Sequence, residues 1–111
     1  MATKAELAIK VVQHLGLLQA GQLINSNDST LVQDAYDSVY LLLQDNHSVD
    51  WGPDDDIPQE FELDVRDIVA FRVAKTFGVT PDAVEFALAN KNLKKALAVD
   101  DSNEPARTQQ F

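Results

Sequence analysis

Apolar residues recur at three- and four-residue spacing in three stretches of the chain, and this spacing produces one buried stripe along an α-helix. The first stretch predicts a helix over about 4–15. Thr3 and Glu6 have the spacing of a capping box at its start, and Gly16 suits the left-handed conformation that ends a helix. The apolar stripe of this helix consists of Leu7, Ala8, Val11, Val12 and Leu15.

The second stretch predicts a helix over about 30–45. It follows a polar loop that begins at Leu17, and Asp28 or Ser29 is expected to cap the helix. The predicted stripe consists of Val32, Ala35, Tyr36, Val39, Leu42 and Leu43.

Two more helices are predicted in the second half of the chain. One spans about 59–77 and ends at Gly78. The other spans about 81–98, with Thr80 as its cap and Pro81 in its first position. The stripe of the third helix consists of Phe61, Val65, Ile68, Val69, Arg72, Val73 and Phe77.

These elements predict an all-α fold, a small bundle of four helices with a flexible C-terminal tail. The 111 residues suit a single domain, which we assign to residues 1–99. From Asp100 the chain has few apolar residues before Phe111, so 100–111 is predicted to be extended or disordered in the free protein. We find no strand pattern and no internal repeat.

Composition narrows the classes of function. The 18 acidic residues outnumber the 9 basic ones, which argues against nucleic-acid binding through neutralisation of the backbone phosphates. Without cysteine there is no thiol nucleophile and no thiolate zinc site, and two histidines supply a metal centre poorly. We therefore expect no metal and no cofactor. No apolar run approaches the roughly 20 residues of a membrane span, and Met1–Lys10 lacks the apolar core of a signal peptide.

An acidic run, Asp54, Asp55 and Asp56, invites comparison with a calcium loop. Such a loop needs alternating oxygen ligands, a glycine at the sharp turn and a final glutamate at fixed spacing. Ile57 and Pro58 interrupt that pattern. We interpret the run as a solvated surface loop.

Ser38 invites comparison with acyl carrier proteins, which are also small, acidic and helical. In those proteins the modified serine opens a helix, whereas here the apolar repeat continues through Ser38 and puts it in mid-helix. His14 near the end of the first helix has no nucleophile or orienting group in a recognisable motif, and we interpret it as a histidine in the last helical turn, a position that the helix dipole favours. Arg72 is expected to snorkel or to pair with a buried acid. Trp51 could either plug the core or anchor an interface.

Taken in order, these features resemble the head-to-tail adaptor proteins of tailed bacteriophages, also called packaged-DNA stabilisation or head-completion proteins. The resemblance covers roughly Thr3–Thr80. It rests on the order and spacing of several groups: Leu15 and Gly16; Asp34, Ala35 and Asp37 leading into Val39, Leu42 and Leu43; Trp51; Ile57 and Pro58; and Val69, Ala70, Val73, Ala74, Phe77 and Gly78. The loop before Trp51 is longer than in the family pattern, and the C-terminal arm is shorter.

The resemblance implies a structural virion protein, made in the host cytoplasm, that is not an enzyme. It implies a ring of about twelve copies on the portal protein, which helps to retain packaged double-stranded DNA and presents a platform for tail proteins. DNA would pass through an acidic channel without sequence-specific binding. The portal-binding candidates are Asn103, Glu104, Pro105, Arg107 and Phe111, and the interface candidates are Trp51, Asp54, Asp55 and Asp56.

Two alternatives stay open. One is an acyl-carrier-like protein modified at Ser38, and the other is a generic helical protein-interaction module. Intact mass would separate the first, because a phosphopantetheine arm adds a fixed increment. The second would be favoured if the last dozen residues could be removed without loss of any partner.

Overall fold

The computed structural model describes residues 2–19, 21–46, 49 and 51–101. Four helices account for most of them: α1 (Lys4–His14), α2 (Ser26–Asn46), α3 (Gln59–Ala74) and α4 (Ala83–Asp101). The predicted all-α bundle of four helices is confirmed. No helix in these residues is long and apolar enough to cross a membrane.

The start and end of α1 follow the sequence prediction. The Thr3 hydroxyl accepts the Glu6 amide, and the Glu6 carboxylate accepts the Thr3 amide, so the capping box is complete. This backbone contact lowers the pKa of the Glu6 carboxyl. After the helix, Gly16 adopts a φ of 79°, the left-handed conformation expected for a stop.

The start of α2 differs from the prediction. The helix begins at Ser26, and Asn25 caps it instead of Asp28 or Ser29: its side chain accepts the Asn27 amide and its carbonyl accepts the Ser29 amide. Five consecutive polar residues, from Asn25 to Ser29, can each cap a helix, and the first one in the chain does so.

The helix boundaries around Gly78 also shift. Helix α3 ends at Ala74, and a turn follows in which Gly78 has a φ of 77°. The predicted cap at Thr80 is wrong, because Asp82 accepts the Glu85 amide through its side chain and the Phe86 amide through its carbonyl. Pro81 therefore precedes α4.

Helix α4 continues through Asp101, past the predicted helix end near 98 and two residues into the segment that the sequence assigned to a tail. The remainder of that segment, 102–111, lies outside the described residues.

The buried core is apolar and comes from all four helices and the loop before α3. Two residues of the predicted stripes are exposed: Leu42 is 49% exposed, and Arg72 is exposed with no acidic partner among the described residues. Three others, Leu15, Ala35 and Phe77, are partly buried. Tyr40, outside the predicted stripe, is buried. The largest fully buried side chains are Tyr36, Leu7, Ile57, Leu93, Leu97, Val11, Val32, Val65 and Val69.

Helix α3 is the central element, since it packs against α1, α2 and α4. Helices α1 and α2 also pack against each other, whereas α4 packs only on α3 among the described helices. The attachment of α4 leaves an open groove on its α2 side and a cleft on its α1 side. An isolated antiparallel bridge between Ala2 and Ile57, which the sequence did not predict, ties the chain start to the loop before α3.

Candidate functional site

Trp51 lies in the core, which corresponds to the first of its two predicted roles, a plug over the core. Its ring stacks on Phe61 with a centroid distance of 5.3 Å, and its Nε1–H donates to the Tyr36 hydroxyl at 2.9 Å. Its carbonyl accepts the Tyr40 hydroxyl at 2.6 Å. Because Trp51 is only 6% exposed, it offers little surface to an interface partner.

The acidic loop faces solvent and is ordered by its own hydrogen bonds. The Asp55 carboxylate accepts the Gly52 amide at 2.8 Å, and Asp54, Asp55 and Asp56 are all exposed. These three residues do not converge into a group that could hold a metal ion among the described residues. The loop therefore has the form of a charged surface turn.

One basic side chain links this loop to the bundle. Lys4 Nζ lies 2.9 Å from Asp37 Oδ1 and 3.3 Å from Asp54 Oδ1. The hydrogen bond with Asp37 raises the pKa of the Lys4 ammonium above its ordinary value, and partial desolvation opposes the increase. Asp37 thus has a structural partner in Lys4.

Ser38 is exposed in the middle of α2, as predicted. A carrier serine would open a helix, where the phosphopantetheine arm can leave the surface next to a loop. The position of Ser38 therefore gives no support to the carrier alternative.

A groove between α2, α3 and α4 is lined mainly by apolar side chains. Its volume is about 570 Å³. Phe71 and Phe86 stack in it with ring centroids 4.2 Å apart. The remaining lining residues are Val39, Leu42, Leu43, Ile68, Arg72, Lys75, Pro81 and Asn90.

Two basic side chains give this groove a local positive charge, although the chain as a whole is acidic. Arg72 and Lys75 line the apolar recess, and both side chains are exposed. A surface that combines an apolar lining with two basic side chains suits an apolar segment that also carries acidic side chains. The sequence placed Arg72 on the apolar face of its helix, but the groove itself depends on how α4 docks.

A second cluster lies on the opposite side of α4, where three helices meet. His14 from α1, Asp67 from α3 and Glu85 from α4 bring ligand-capable atoms within 4.8 Å of one another. His14 Nε2 is 2.6 Å from Glu85 Oε1 and 3.6 Å from Asp67 Oδ1. Because a carboxylate only accepts, the Nε2–H donates to Glu85.

Each member of this cluster is partly shielded from solvent. The side chains of His14, Asp67 and Glu85 are 24%, 17% and 32% exposed, respectively. Arg66 donates to Asp67 Oδ1 from both Nε and a terminal nitrogen, at 2.9 and 2.7 Å. A cavity of about 220 Å³ opens beside His14 and Glu85, and Thr80 and Asp82 also line it.

Sequence reasoning missed this cluster. His14 was interpreted from the helix dipole alone, and 71 positions separate it from its hydrogen-bond partner Glu85. The three residues match no spacing motif, because each comes from a different helix. The place of His14 in the last turn of α1 was the one local signal, and it does not identify an acidic partner.

The portal-binding candidates Asn103, Glu104, Pro105, Arg107 and Phe111 lie outside the described residues. Comparison of the chain with protein-family models, with curated proteins and with solved structures finds no match.

Proposed function

We propose that this chain is a structural virion protein, a head-to-tail adaptor that assembles as a ring of about twelve copies on the portal protein of a tailed bacteriophage. In this role it helps to retain packaged double-stranded DNA and presents a platform for tail proteins. The ordered series of sequence features that resembles the adaptor family motivates the proposal. The observation that carries it furthest is the open groove with Arg72 and Lys75 at its edge.

In this proposal, a neighbouring copy of the chain occupies the groove. Charge complementarity favours this occupant, because the chain has a net charge of -9 and a second copy therefore presents mostly acidic side chains to Arg72 and Lys75. A closed ring also needs a heterologous contact, in which a recess on one subunit receives a different surface of the next. Several exposed apolar side chains could serve as that second surface: Leu41, Leu63, Val84 and Leu88.

The C-terminal segment is the proposed portal contact. Helix α4 is fixed to α3 by the buried side chains of Ala89, Leu93 and Leu97. The ten residues after Asp101 could span at most about 35 Å from that fixed helix. One of them is Phe111, an aromatic side chain that could anchor in a groove of the portal.

The acidic surface supports the proposed passage of DNA. A ring whose subunits each have an excess of acidic residues repels duplex phosphates, so DNA could move through the channel without adhering to it. Because the portal would nucleate the ring, we expect the free protein to be monomeric. Preformed rings at low protein concentration would count against this point.

The test mixes the purified protein with portal rings of short-tailed phages and examines the products by size exclusion and electron microscopy. The full chain should add a symmetric layer. A chain ending at Asp101 retains α4 and should fail to add it. If no portal ring binds the full chain, the adaptor proposal fails and a generic interaction module becomes the better account.

The same experiment tests the groove with a matched pair of charge reversals. Arg72→Glu should prevent a complete layer, because it reverses the charge at the groove. Lys94→Glu makes the same change in net charge at an exposed position of α4 outside the groove lining, and it should assemble normally. Equal assembly of both variants would contradict the proposed subunit contact while leaving the portal contact intact.

A further inference from the structure

We infer that His14, Asp67 and Glu85 form a binding site for a divalent transition-metal ion, with Zn²⁺ the best match. This inference is independent of the proposed virion function. It rests on the convergence of one imidazole and two carboxylates from three helices.

His14 bonds to only one of the two carboxylates, and Arg66 supplies the hydrogen bonds of the other. The single Nε2–H of His14 is donated to Glu85, and the distance of 3.6 Å to Asp67 Oδ1 is too long for a second hydrogen bond. Two carboxylates thus approach one nitrogen although only one of them bonds to it. The ligand atoms lie within 4.8 Å of one another, so a cation among them would be attracted by both carboxylates, although Arg66 already offsets part of the charge of Asp67.

The distances are close to those of a metal site. With bonds of about 2.0–2.1 Å, two ligand atoms of a tetrahedral zinc ion are roughly 3.3 Å apart. The His14–Glu85 pair at 2.6 Å would have to open by about 0.7 Å, and the His14–Asp67 pair at 3.6 Å would have to close by about 0.3 Å. Rotations of partly exposed side chains suffice for such changes.

The surroundings supply the remaining parts of a site. Arg66 fixes the Asp67 carboxylate by two hydrogen bonds to Oδ1, and an ion bound to this oxygen would share it with Arg66. The cavity beside His14 and Glu85 gives an entry path and room for a water molecule as fourth ligand.

The ligand set favours a transition metal over Mg²⁺ or Ca²⁺. Those two hard cations prefer oxygen ligands alone, whereas imidazole suits zinc and its neighbours in the first transition series. Two carboxylates also neutralise the charge of a divalent ion. Because the positive charge of Arg66 weakens Asp67 as a donor, we expect a site of moderate affinity.

Binding would connect α4 to the rest of the bundle. In the described structure α4 packs on α3 alone, and the His14–Glu85 pair is its link to α1. An ion held by all three helices would replace this single hydrogen bond with three coordinate bonds. The expected consequence is a higher melting temperature in the presence of the metal.

The experiment titrates the full-length, untagged protein with Zn²⁺ at pH 7 by isothermal titration calorimetry. Cobalt(II) absorption, which reports tetrahedral coordination, provides a second measurement. We expect one site per chain, a tetrahedral cobalt spectrum and a zinc-dependent rise in melting temperature. Absence of binding at millimolar zinc would overturn the inference and leave the cluster as a hydrogen-bonded pair.

Three variants assign the ligands. His14→Ala should weaken zinc binding at least tenfold, whereas His47→Ala, which removes the other histidine of the chain, should not. Glu85→Gln keeps a carbonyl that can accept the His14 hydrogen bond but removes the anionic ligand. The Glu85→Gln protein should therefore bind zinc more weakly. This variant keeps the test valid if His14→Ala fails to fold. Unchanged affinity in a folded Glu85→Gln protein would refute the assignment.

Discussion

Replacing Tyr36 with phenylalanine removes the oxygen that accepts the indole N–H of Trp51 and leaves the rest of the ring in place. Tyr36 is fully buried and Trp51 is 6% exposed, so water cannot easily replace the lost acceptor. A buried donor left without a partner costs about 1–3 kcal/mol. For a domain of this size we expect the melting temperature to fall by roughly 5–15 °C.

The assay is denaturant unfolding followed by far-UV circular dichroism. Fluorescence of Trp51, the single tryptophan, gives a second probe wherever that residue is retained. Ser38→Ala is the matched control, because it removes an exposed hydroxyl from the same helix and should change the free energy of unfolding by less than about 0.5 kcal/mol.

A double-mutant cycle with Trp51→Phe separates the hydrogen bond from general effects of the Tyr36 substitution. In the Trp51→Phe background no indole donor is left unpaired, so Tyr36→Phe should cost little or even stabilise the protein. The reasoning is refuted if Tyr36→Phe costs the same in both backgrounds, or if it leaves the wild-type stability unchanged.

Two further substitutions test local features of the helices. Burial, followed by the nearby charge of Asp67, raises the pKa of the Asp64 carboxyl above its ordinary value. Because the folded-state pKa is raised, the stability contributed by Asp64 is present below its unfolded pKa and is lost as pH rises through the folded value. Asp64→Asn should therefore raise the urea midpoint at pH 7 and leave it nearly unchanged at pH 3; a lower midpoint at pH 7 would contradict the assigned burial effect. Gly16→Ala should lower the free energy of unfolding in urea by about 1–2 kcal/mol, because Gly16 has a φ of +79° and no neighbouring atom lies within 4 Å of the added carbon. Gly16→Asn should lower it less. Equal losses for the two variants would show that backbone conformation is not the cause.

The sequence predicted most of the helices because their signals are local. Thr3 and Glu6 can only form their capping box if a helix starts between them, and Gly16 and Gly78 mark the turns that follow two helices. The prediction failed where several residues compete for one local role. Asn25 caps α2 in place of Asp28 or Ser29, because in a run of residues that can all cap a helix the sequence does not show which one does so.

Candidate chemistry was harder to predict than helices. The acidic loop is exposed, as expected, because its charges cannot be buried without partners. Trp51 had two open roles in the sequence, and the nearby hydroxyls of Tyr36 and Tyr40 account for its burial. Arg72 was expected to snorkel or to pair with a buried acid; it lines an apolar groove and has no acidic partner among the described residues.

The sequence by itself determined the all-α fold, the number of helices and most of the apolar stripes, since periodicity and capping depend on residues a few positions apart. Only the tertiary structure decided what lies between the helices. Helix α4 docks on α3 alone, and this leaves a cation-edged groove on one side and brings Glu85 to His14 and Asp67 on the other. No local rule specifies such neighbours, because they follow from the packing of whole helices whose contacting residues are distant in the chain.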